Sequence, residues 1–153
     1  MFETLSLEAA LYIAKSMRES NRESMFQSIP EISMEAFAIN RWQTEGAAWA
    51  FFQEGIPVAM GGIVTTTPWV GVAWFAATED VSRDSWKKII RFCRKVFGNA
   101  SKTIPRIEAQ CVEGWEMADK FARQVGFKYE FTRERAARDG RGIKSYFILG
   151  EAS

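Results

Sequence analysis

The sequence predicts an α+β fold: a mixed, mostly antiparallel central sheet flanked by helices. Three observations lead there. Two helical segments open the chain. Three apolar runs joined by short turns follow, which read as an antiparallel meander. Helical and strand patterns then alternate through the second half. The chain has 153 residues, which suits one domain spanning residues 1–153, with N-terminal helices in 1–45 and sheet and central helices in 46–149.

Ser6 is a candidate cap for a first helix from Leu7 to Met17. Leu7, Ala10, Leu11, Ala14 and Met17 share its apolar side. The polar stretch Ser20-Asn21-Arg22-Glu23-Ser24 reads as a break. Pro30 biases Ile29 away from helix, and Ser33 then caps a second helix from Met34 to about Arg41.

The meander runs through Ala47–Phe52, Ile56–Thr66 and Trp69–Ala77. Gln53-Glu54-Gly55 and Thr67-Pro68 are its turns. Gly61 and Gly62 inside the middle run imply a bulge or a close backbone approach. Ser82 or Asp80 caps a helix from Arg83 to about Phe97, where Trp86, Ile89, Ile90, Cys93 and Phe97 form the apolar stripe and Gly98-Asn99 is a stop signal.

Arg106–Val112 reads as a strand, parallel to the third run because a helix links them. A helix from Gly114 to Gln124 ends at Gly126. Phe127–Glu134 alternates as a strand, Asp139–Gly142 turns, and Ile143–Leu149 pairs back.

Composition narrows the chemistry. Hydrophobic residues make up 47% and aromatics 14%, enough for a core without disulfides. A net charge of +1 gives no global attraction to nucleic acid or an anionic membrane. There is no histidine, which removes Ser-His and Cys-His nucleophile pairs and the usual zinc sites, so no metal is expected. Cys93 and Cys111 lack CxxC spacing and read as reduced thiols of a cytoplasmic protein. The N-terminus has no basic start before its apolar run, so no signal peptide is expected. No apolar run reaches the length of a membrane span.

The element order, with Ala118–Phe127 (helix, then Gly-Phe opening a strand), resembles the GCN5-related N-acetyltransferases over about residues 46–149. The resemblance implies acetyl-CoA as co-substrate and an amine on a small molecule or protein as acceptor. In that family the strand before the central helix pairs its backbone with the pantetheine arm, which carries over to Phe75, Ala76 and Ala77. The next loop presents glycine-rich amides to the pyrophosphate. Here the matching stretch, Ala76–Ser85, has no glycine and three acids; Ser82, Arg83 and Ser85 are the substitutes. The position of the family's general-acid tyrosine is Ala122, leaving Tyr129 and Tyr146 in this half. Base candidates are Glu79 and Asp80, which also suit a helix N-terminus, and Glu108, which also suits a solvated strand face. Lys87, Lys88, Arg91, Arg94 and Lys95 are candidates for the 3′-phosphate of CoA, or a solvated helix face. Cys111 near the strand divergence reads as a buried thiol.

The small aromatic-rich chain and the Trp115–Asp119 segment also resemble acetyltransferase-like proteins of T7-type bacteriophages. That likeness implies the alternative of an inactive binding or virion-assembly protein, with a phage or host protein partner, in host cytoplasm or virion.

Overall fold

The computed structural model describes residues 1–44 and 46–151. The elements are β1 (Phe2–Thr4), α1 (Leu7–Lys15), α2 (Glu19–Met25), α3 (Met34–Trp42), β2 (Gly46–Gln53), β3 (Ile56–Thr67) and β4 (Val70–Ala77), then α4 (Arg83–Ala100), β5 (Arg106–Val112), α5 (Glu116–Gln124), β6 (Lys128–Arg133) and β7 (Ile143–Leu149). One sheet of 7 strands has the order β1-β2-β3-β4-β5-β7-β6. Every neighbouring pair is antiparallel except β4–β5.

Local signals set most boundaries. Ser6 and Ser33 cap α1 and α3 by accepting the N–H groups of Ala9 and Ala36. Ser82, not Asp80, caps α4 through the Ser85 N–H. Gly98-Asn99 does not stop α4, which runs on to Ala100. Nothing lies within 4 Å of a Cβ built at Gly98, and its backbone is not left-handed. Without a positive φ, glycine is only a weak helix residue, not a terminator.

Two elements were not expected. β1 pairs with β2, Phe2 opposite Phe51 and Thr4 opposite Trp49. The polar stretch read as a break is helix α2. Its hold on the sheet is polar: the Arg18 N–H bonds the Ala77 carbonyl at 2.9 Å, and the Asn21 side chain accepts the Ala77 N–H at 3.1 Å. Asn21 is accordingly buried. Tertiary docking overrides the weak local pattern.

The sheet alternation splits the core in two. Ala50, Met60 and Ala76 face α1 and α3, packing with Ala10, Ile13 and Phe37. Phe51, Ala59 and Ala77 face the opposite side, with Ile89 of α4. Further along that side, Ile107, Cys111 and Tyr146 pack against Phe97, Phe127 and, from α5, Phe121. Of the two mid-strand glycines, Gly62 carries a close approach: a Cβ there would lie 2.5 Å from the Ala47 carbonyl oxygen. The register shifts of β3 fall elsewhere, opposite Phe51/Phe52 and at Thr65/Thr67. Among the described residues, no helix is long and apolar enough to cross a membrane.

Candidate active site

The site begins where the two parallel strands part. β4 and β5 pair only from Val70–Arg106 to Val72–Glu108. Beyond that, β4 continues to Ala77 on β3, and β5 continues to Val112 on β7. The result is a wedge in the middle of the sheet. The Trp69 carbonyl accepts the Arg106 N–H, so odd-numbered β4 residues turn their backbone groups towards β5. By the same alternation Phe75 directs its N–H and C=O into the wedge, and Gln110 does so from β5. Ala77 also faces it, but its two groups are taken by Asn21 and Arg18.

The start of α4 lies just past the wide end of the wedge. A helix start offers unpaired amides to anions. Here two of them are engaged from within. The Ser82 side chain accepts the Ser85 N–H at 3.1 Å, and the Gln53 side-chain oxygen accepts the Ser82 N–H at 2.9 Å and the Ser85 hydroxyl at 2.7 Å. Gln53 in turn donates to the Asp80 carbonyl at 2.8 Å. Glu79, Asp80 and Asp84 stand exposed around this start. The donor set does not fit a diphosphate: the amides of Ser82 and Ser85 are engaged, and the surrounding carboxylates repel an anion.

Two cavities flank the wedge. On the α4/α5 side is one of ≈ 170 Å³ with an aromatic lining that includes Phe75, Trp86, Phe92 and Phe121. On the α2/α3 side is one of ≈ 260 Å³ lined by Ser24, Phe37, Arg41 and Ile143 among others. Trp74, Phe75, Gln110, Cys111 and Trp115 line both. The wedge is thus the shared wall of an apolar chamber and a more polar one.

One titratable cluster reaches this wall. Tyr146 is fully buried, and its hydroxyl donates to Asp119 of α5. It also accepts the Cys111 thiol at 3.5 Å. Burial, then the bond to Asp119, pushes the Tyr146 phenol well above its ordinary range. The Asp119 carboxyl is held low, first by the Tyr146 bond and then by Arg123 at 3.1 Å. Burial pushes the Cys111 thiol up, so it stays neutral. Among the described residues, no group of three or more His, Cys, Asp and Glu could hold a metal ion.

The residues singled out from sequence fall in three places. Phe75 stands in the wedge, Ala76 points its side chain into the α1/α3 core, and Ala77 is bound by the α2 segment. Ser82 and Ser85 form the α4 cap, with Arg83 and Glu79 and Asp80 exposed beside it. Glu108 sits at the last paired position, bound to Arg106 at 2.7 Å. The structure therefore gathers Phe75, Ala77, Ser82 and Ser85 along one rim and leaves Glu108 at the closed end. Tyr129 lies on the exposed side of β6, its hydroxyl 2.6 Å from that of Thr132. Arg18, Asn21, Gln53, Arg41 and Asp119 were not singled out by sequence reasoning. Their roles depend on partners 27 or more positions away, as with Gln53 and Asp80.

No protein-family model and no curated protein matches the sequence. Solved structures do match in fold. The ribosomal L7/L12 alpha-N-protein acetyltransferase in complex with coenzyme A superposes with a TM-score of 0.74 at 10% identity, covering 99% of this chain and 94% of that one. The ribosomal-protein-S18-alanine N-acetyltransferase from Escherichia coli gives 0.71 at 15% identity, over 100% and 95%. An acetyltransferase of the GNAT family from Streptococcus pneumoniae gives 0.66 at 16%, over 99% of each chain. The wedge, the single parallel pair and these superpositions lead to one conclusion: this chain has the fold of the GCN5-related N-acetyltransferases.

Proposed function

We propose that this protein is an N-acyltransferase that takes an acyl group from a CoA-type thioester to an amine, gripping the donor by its thioester arm and not by its diphosphate. The observation that carries this is the parting of β4 and β5 after Val72–Glu108, with backbone groups of Phe75 and Gln110 turned into the gap. A bound thioester would supply the activated acyl group. The chain supplies the rest. Phe75 and Gln110 offer strand-like hydrogen bonds to an extended amide-bearing arm. The aromatic chamber excludes water from the reacting end.

Acyl transfer to an amine needs an acceptor for one amine proton and a donor for the leaving sulfur. The single Tyr146 proton is held by Asp119, so the leaving thiolate takes its proton from water at the open rim. Glu79 and Asp80, at the open rim, are the bases we assign, acting through water. Phe75, Ala77, Ser82, Arg83 and Ser85 form the donor-side rim, where Arg83 is the exposed cation nearest the α4 start.

Calorimetry tests this with acetyl-CoA and S-acetylpantetheine. Both should bind, acetyl-CoA in the range of about 1 μM to 1 mM typical of substrates. The two should agree within about tenfold, because no backbone cradle rewards the nucleotide end. Acetyl-CoA binding more than about a hundredfold tighter would refute the arm-based grip.

One observation favours a second reading, a non-catalytic binding or virion-assembly protein of a bacteriophage built on the same fold. The α2 segment already occupies the Ala77 backbone, part of the edge a donor arm would use. Absence of heat with either thioester supports that reading, and a phage or host protein partner then replaces the amine acceptor.

A further inference from the structure

The α2/α3-side cavity carries unspent hydrogen-bonding capacity of one sign. Among the described residues, Arg41 is the only charged one in its lining, and none there is a carboxylate. Its guanidinium lies 5.0 Å from the centre of the Trp74 ring and 5.1 Å from that of Phe37. Among the described residues its Nε atom is buried with no hydrogen-bond partner. The indole N–H groups of Trp74 and Trp115, both lining residues, are buried and unpartnered too. Buried donors without acceptors cost free energy. All three belong to residues that line this cavity, Trp74 and Trp115 lining the other as well, and such donors, one of them cationic, match an anion and reject a cation.

We propose that this cavity binds the carboxylate of the acyl acceptor, so that the acceptor is an amine carrying a carboxylate near its amino group, as a free amino acid does. Arg41 takes the carboxylate, held in place by the Trp74 and Phe37 rings, and the two indole N–H groups complete its shell. The ligand then meets the wedge at the wall shared by Phe75, Gln110 and Cys111, so its amine faces the donor side. This rests on the acyltransferase reading for the amine's role, but the anion site stands on its own donors.

The test is a binding titration without any acyl donor, using a panel of free L-amino acids and their C-terminal amides. Nitrogen-15 spectra follow the indole signals, with Trp74→Phe and Trp115→Phe assigning them. At least one amino acid should move both indole signals and bind about tenfold or more tighter than its amide. Arg41→Gln should abolish that preference, and Arg41→Lys should keep part of it. Should Arg41→Gln fail to fold, Trp115→Phe serves instead and should weaken the carboxylate form alone. If no amino acid outbinds its amide, or if Arg41→Gln retains the preference, the anion site is refuted. Carboxylate preference without acyl transfer refutes only the acyltransferase reading. Acyl transfer indifferent to the carboxylate refutes only this site.

Discussion

Replacing Tyr146 by phenylalanine removes one hydroxyl from the wall of the wedge and leaves the ring. That hydroxyl donates to Asp119 and accepts the Cys111 thiol. A hydrogen bond to a charged group contributes roughly 1.5–3 kcal/mol. Asp119 keeps 27% of its side-chain surface exposed and retains Arg123 at 3.1 Å and Lys144 at 3.9 Å. Its carboxylate is therefore not left orphaned, and the lower end applies, about 1.5 kcal/mol. For a chain of this size the melting temperature should fall by about 3–6 °C.

The pH profile identifies the cause. Asp119 has a depressed folded pKa, so its contribution is present above the ordinary value of 3.8 and is lost as pH falls through the folded value. Tyr146 has a raised folded pKa, so its contribution is present below its ordinary value of 10.0 and is lost as pH rises through the folded value. The gap between wild type and Tyr146→Phe should be widest between about pH 4 and 10 and shrink on both sides. Thermal melts across pH, read by circular dichroism, measure it. A gap independent of pH, or none near neutrality, would refute the assigned pair.

Two further perturbations test the fold. Gly62→Ala should destabilise by about 1–3 kcal/mol, since its Cβ would meet the Ala47 carbonyl oxygen at 2.5 Å and only a parting of β2 from β3 relieves it. Gly98→Ala should do the reverse, raising stability by about 0.5–1 kcal/mol, because it is helical with nothing within 4 Å; chemical denaturation reads both. Burial pushes the Cys93 thiol up to about 12 from 9.0. It should resist Ellman's reagent at pH 8 until denaturant is added, and its contribution to stability should be lost as pH rises from about 9 through 12.

The sequence by itself determined the element types and most of their order. Capping serines at Ser6, Ser33 and Ser82, branched runs in β3 and the Gly126-Phe127 junction are local signals, and local chemistry is enough to read them. It also showed that the stretch from Ala76 to Ser85 lacks glycine. What it did not show is what engages the α4 start. Gln53 at the end of β2 closes the start of α4 by bonding residues on another element. Asn21, in a polar stretch with no apolar period, forms helix by binding Ala77 across 56 positions. Arg41 reads as an ordinary last-turn cation until the fold sets Trp74, 33 positions on, against it. These are long-range contacts, and a single sequence records no partner for a side chain whose partner is distant. Hydrophobic periodicity settles which face of an element is buried. Only the tertiary structure decides which buried donors meet an acceptor and which, like Arg41 Nε, find none among the described residues.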